Sequence, residues 1–113
     1  MVDDYLESQL SELIKSVSDT TRRQLLTQLC QQGPQRVTEL ASCYDMSLNA
    51  VSKHIKILES AQLVKRTTYG RDHWIEADLH RFELIENWFR QMKSIWELRL
   101  EALDRTLTGE KND

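Results

Sequence analysis

Through most of the chain, apolar residues recur at three- and four-residue steps; once, after Leu63, that rhythm gives way to β-branched and aromatic runs. Tyr5, Leu6, Leu10, Leu13, Ile14 and Val17 make a helical stripe in a first segment, residues 1–17, otherwise filled with Asp, Glu, Ser and Lys. Asp19 is placed to cap a second helix, Thr20 to Gln32, with Leu25, Leu26, Leu29 and Cys30 inward and Arg22 and Arg23 outward. Gly33-Pro34 stops it, because Gly suits a helix terminus and Pro cannot continue the hydrogen-bond ladder. A short third helix starts near Thr38 and carries Leu40, Ala41 and Cys43; Tyr44-Asp45-Met46 connects it to a fourth helix, 47–61, capped by Ser47 and striped by Leu48, Val51, Ile55 and Leu58. Val64–Tyr69 and His73–Ala77 flank Gly70-Arg71-Asp72 and predict a β-hairpin over 64–77. No Gly or Pro then interrupts the chain before Gly109, so the pattern predicts one long helix over 78–108 and a frayed tail over 109–113. The expected fold class is mainly α with a small β-hairpin (α+β), in a single 113-residue domain whose core spans 19–77.

Two short helices joined by a few residues, followed by a hairpin, form a helix-turn-helix with a wing. Charge adds a destination to that shape. The net charge of -3 argues mildly against a nucleic-acid partner, but its distribution reverses the argument. Between Ser47 and Ile75, Lys53, Lys56, Lys65, Arg66 and Arg71 face only Glu59 and Asp72, whereas Glu76 to Asp113 is acidic in balance. On the fourth helix, the face opposite the apolar stripe carries Asn49, Ala50, Lys53, Lys56 and Ile57, with Ser52 and His54 on its flanks. Asn pairs with adenine edges, Lys with guanine or phosphate, and Ser with either, so such a face suits the major groove. Lys65, Arg66 and Arg71 of the hairpin would then reach flanking phosphates or the minor groove.

The long last helix carries more apolar surface than one small domain hides. Phe82, Ile85, Phe89, Met92, Trp96, Leu100, Leu103 and Leu107 form one row, and Leu84, Trp88, Ile95 and Leu98 lie beside it. This predicts an isologous dimer, with Leu6, Leu10 and Leu13 of the first helix joining Phe82, Ile85, Trp88, Phe89, Met92, Ile95, Trp96 and Leu103 at the interface. No apolar run approaches the roughly 20 residues that cross a bilayer, and Met1-Val2-Asp3-Asp4 begins acidic, so a cytoplasmic protein without a membrane partner is expected. Cys30 and Cys43 are expected to be reduced core thiols.

Asp19-Thr20-Thr21-Arg22-Arg23-Gln24-Leu25-Leu26, Val37-Thr38-Glu39-Leu40-Ala41, the run Met46 to Glu59, Ala61-Gln62-Leu63-Val64 and Gly70-Arg71 together resemble the ArsR/SmtB family of winged-helix bacterial repressors. The likeness covers about 19–77. It implies a homodimer bound to an inverted-repeat operator in double-stranded DNA, with the first and last helices at the dimer interface. Residue by residue, it nominates Ser47, Asn49, Ser52, Lys53 and His54 as reading residues and Arg71 as the wing tip.

Departures from the family pattern bear on what the protein senses. The family's metal sensors carry a Cys-x-Cys pair where this chain has Arg36 and Thr38. Asp78-Leu79-His80 imitates half of the family's other metal site, but Gln91 and Ser94 stand where the second half should fall. Two nitrogen or oxygen ligands do not fill a tetrahedral zinc site, so no metal and no cofactor are expected, Asp78 reads as a helix cap, and the small-molecule inducer stays unnamed. Gln62 replaces a usual Gly, and a left-handed residue there costs on the order of 1 kcal/mol. Two alternatives remain open: a winged-helix protein–protein module without DNA binding, and a repressor switched through Cys30 and Cys43. Catalysis is not expected, because the chain has no glycine-rich phosphate loop and His54, His73 and His80 each have a simpler role.

Overall fold

The computed structural model describes residues 2–108, leaving the expected fray of 109–113 outside the described residues. Eight elements follow in order: α1 (Val2–Ser16), α2 (Thr20–Gln32), β1 (Gln35–Arg36), α3 (Val37–Ser42), α4 (Leu48–Ser60), β2 (Val64–Tyr69), β3 (Asp72–Ala77) and α5 (Phe82–Thr108). They fall into two compact units, the first reaching Phe82 and the second starting at Glu83.

In the first unit the predicted caps set the helix boundaries. Asp19 accepts a hydrogen bond from the Arg22 N–H at 3.1 Å, satisfying one of the unpaired donors at the start of α2. Ser47 does the same for the Ala50 N–H at 3.1 Å. Leu13, Leu25, Leu26, Leu29, Leu40, Val51, Ile55, Leu58, Leu63, Val64 and Ile75 are buried and make the core. α3 and α4 form the helix-turn-helix, and β2 and β3 form the wing, paired antiparallel from Val64↔Ala77 to Tyr69↔Asp72. Only Gly70 and Arg71 lie between the paired ends, and Gly70 has φ 62°, a conformation that leaves no Cβ to clash.

The third strand was absent from the sequence expectation. β1 pairs antiparallel with β3 through Gln35↔Ile75 and Arg36↔Trp74, making a sheet of order β1-β3-β2. Two residues carry no periodicity to read, so only the tertiary pairing reveals this strand. The Arg36 guanidinium also stands over the Trp74 ring at 5.7 Å.

The exit from α4 is a Schellman turn. Leu63 N–H donates to the Leu58 carbonyl at 2.9 Å and Gln62 N–H to the Glu59 carbonyl at 3.0 Å, while Gln62 takes φ 61°. Among the described residues it is the one non-glycine with positive φ, as the family resemblance implied.

α5 starts four residues later than expected. Asp78 Oδ1 accepts from the His80 N–H at 3.3 Å, an Asx turn that competes with helix, and Phe82 N–H donates to the Leu79 carbonyl. Asp78 therefore shapes the approach to α5 rather than capping it. In the second unit, α5 is a 27-residue helix with no buried residue, and the Trp88 and Phe89 rings lie 5.2 Å apart on it.

Candidate nucleic-acid interface

α4 divides sharply by face. Val51, Ile55 and Leu58 are fully buried, while Asn49, Lys53 and Lys56 are exposed and Ser52 is half-buried. The apolar stripe thus fixes the rotation of the helix, and the amide and ammonium groups have no choice but to face outward. Ser47 is exposed as well, with its hydroxyl oxygen engaged by the Ala50 N–H and its own proton free to donate.

His54 does not join that face. Its Nδ1 lies 3.2 Å from Arg22 Nη1 and 3.8 Å from Asp19 Oδ2, which turns the ring toward the start of α2. A guanidinium nitrogen can only donate, so Nδ1 accepts and the imidazole proton in this arrangement sits on Nε2. Arg22, expected to point outward, is part-buried. It also donates from Nε to the Ser16 carbonyl at 2.6 Å and from Nη2 to the Lys15 carbonyl at 3.3 Å. One side chain therefore ties the end of α1 to the middle of α4. Sequence reading missed this role because the pattern records that a charge is present, not which orphan carbonyls it meets.

The Asp19 carboxyl is held below its ordinary value near 3.8, first by the Arg22 backbone N–H and further by the charge of Arg22. A folded-state pKa below the unfolded one means this contribution is complete above that range and is lost as pH falls through it.

The wing cations differ in availability. Arg71, at the hairpin tip, is exposed and makes no ion pair among the described residues. Lys65 is exposed and only loosely paired, its Nζ 3.6 Å from Asp78 Oδ2, a surface contact that water and salt weaken. Arg66 is different. Its Nε and Nη2 reach the Glu59 carboxylate at 3.2 Å in a part-buried bidentate pair, so the expectation of a free DNA-facing cation is corrected. That pair fastens the wing to the C-terminal end of α4.

Two further expectations are revised. Cys30 and Cys43 are both exposed, not core thiols: Cys30 follows the buried Leu29 but lies on the outer side of α2, and Cys43 sits past the end of α3. Leu10 and Leu13 are buried within the chain and have no surface left for a partner, whereas Leu6 is exposed. On α5, Phe82 and Ile85 are half-buried, and Trp88, Phe89, Met92, Ile95, Trp96 and Leu103 are exposed. Asp78 and His80 approach to 3.3 Å without a third metal-ligating group beside them among the described residues.

Residues 19–66 match the family model described as "Bacterial regulatory protein, arsR family". The arsenical resistance operon repressor of Bacillus subtilis (strain 168) is 31% identical over 70 residues, which span 62% of this chain and 65% of that relative's length. A crystal structure of an ArsR family transcriptional regulator is similar with a TM-score of 0.76 at 32% identity, covering 80% of this chain and 93% of that one. An ArsR-like transcriptional regulator from Rhodococcus sp. RHA1 gives a TM-score of 0.77 at 25% identity, covering 88% and 93%. The matched family and these relatives are regulators, not enzymes.

Proposed function

Because the chain belongs to the arsR family of bacterial regulatory proteins, we propose that it is a dimeric repressor of transcription that reads an inverted-repeat operator. In this reading α4 enters the major groove and presents Asn49, Ser52 and Lys53 to base edges, with Ser47 and Lys56 at its borders. Lys65 and Arg71 of the wing lie on flanking DNA. The observation that carries the proposal is the outward face of α4: a buried stripe holds Asn49, Lys53 and Lys56 in the open, and neither lysine is tied up in an ion pair among the described residues.

Dimerisation is supported by α5. A helix of 27 residues with no buried side chain and a surface of Trp, Phe, Ile and Leu cannot stay in water cheaply, and a second copy of the same face would cover it. Two such readers would then stand about one DNA turn apart, roughly 34 to 36 Å. Repression is the activity named for the Bacillus subtilis relative, and the same direction is proposed here. Its arsenic response is not carried over, since Arg36 and Thr38 offer no thiolate at the start of α3.

Selection of bound duplexes from random sequence, followed by titration of the winner in rising salt, tests the proposal. An enriched inverted repeat is expected, with affinity falling roughly 10³- to 10⁵-fold between 50 and 200 mM salt for about six to ten neutralised phosphates. No enrichment, or a flat salt response, would sink it and favour a protein–protein module.

A further inference from the structure

Leu48 departs from the stripe to which its spacing assigns it. Val51, Ile55 and Leu58 are 0% exposed, but Leu48 is 49% exposed and Met46, just before the cap, is 36% exposed. Leu48 is the first residue of α4, immediately after Ser47. Helical side chains lean toward the N-terminus of their own helix, so its isobutyl group covers the tip of α4. Asn49 is its exposed neighbour, and Ser52 lies one turn on along the same side. Exposed hydrocarbon therefore stands beside Asn49 and Ser52 at the end that a recognition helix presents to base edges.

The other exposed apolar residue of α4 sits elsewhere. Ile57 lines a groove of about 650 Å³ with Ser8, Ser11 and Lys15 of α1, at the far end of the helix. Leu48 alone stands among the reading residues. In the major groove every base pair displays hydrogen-bond donors and acceptors, and only one standard base adds an apolar group, the 5-methyl of thymine. A side chain that cannot hydrogen-bond can discriminate there only by meeting that methyl.

We propose that Leu48 is a specificity-determining residue that recognises thymine through its 5-methyl group, with Met46 extending the same apolar spot. The inference rests on the DNA-reading function proposed above and adds to it the base that the first turn of α4 selects.

Deoxyuridine differs from thymidine only in lacking that methyl, so the test replaces thymines one at a time in the selected duplex and measures affinity for the wild-type chain, Leu48→Ala and Leu48→Gln. One thymine per half-site should matter: its replacement weakens wild-type binding about fourfold, the worth of one buried methyl, and about fifteenfold when both half-sites are changed. In both variants that step should vanish, while their thermal melting stays near that of the wild type. A flat uracil series, or a step that persists in Leu48→Ala, overturns the inference but leaves the DNA-reading function standing. Failure of the wild-type chain to bind any duplex overturns both.

Discussion

α4 and α5 share the same three-four apolar rhythm, yet they end in opposite situations. α4 sinks Val51, Ile55 and Leu58 completely into the core of its own unit, while α5, about twice as long, has no fully buried residue. Amphipathic spacing specifies that a face must be covered; it does not say whether the cover is another part of the same chain or a different molecule. The contrast assigns the two helices different dependences. α4 owes its orientation to intramolecular packing and should hold its reading face at any protein concentration. In the proposed dimer α5 is covered by a second copy, so its contribution should follow mass action.

The sharpest way to break this contrast is to open a cavity under α4. Ile55→Ala should lower unfolding stability by about 2 to 5 kcal/mol, read from denaturant melts at fixed protein concentration, because a fully buried side chain leaves a cavity that its surroundings fill only in part. A loss below about 1 kcal/mol would mean the stripe is not the anchor described here. Next in size is the aromatic row of α5. Trp96→Ala should raise the dimer dissociation constant at least about 30-fold, corresponding to roughly 2 kcal/mol at a buried aromatic anchor, with little change in helix content. Sedimentation would detect it, and an unchanged association constant would remove Trp96 from the interface.

Lys53 on α4 and the Glu59-bound Arg66 on β2 separate a free cation from a fastened one. Lys53→Ala should weaken operator binding by about 1 to 3 kcal/mol if it touches a base edge, and should relax preference at one position. Equal affinity for wild type and variant in a mobility-shift titration would take Lys53 out of the reading face. The smallest effect belongs to the turn that ends α4. Gln62→Gly should stabilise the protein by up to about 1 kcal/mol, since φ 61° suits glycine and strains glutamine. A fall in melting temperature would show that the glutamine side chain compensates for its strained backbone.

Much of this architecture is legible in residue order. Asp19 and Ser47 announce the starts of α2 and α4, Gly33-Pro34 announces the end of α2, and the β-branched run after Leu63 announces the wing. The outward position of Asn49, Lys53 and Lys56 follows from the buried stripe alone. Several misread positions depend on a partner in another element. Arg66 looks like a free cation until Glu59 is found beside it, and His54 looks like a groove contact until Arg22 claims its Nδ1. Leu48 looks like core because spacing cannot show that the stripe's cover stops one turn short of the helix end.

Local order was enough to specify the helices, their caps and the hairpin turn at Gly70, because hydrogen bonds and backbone sterics act over a few residues. Tertiary structure alone decided the β1–β3 pairing, the Arg22 tie between α1 and α4, the exposure of Cys30 and Cys43, and which polar groups remain free. Those outcomes depend on which side chains meet across the fold, and an ion pair or a buried carbonyl leaves no trace in the periodicity of one segment.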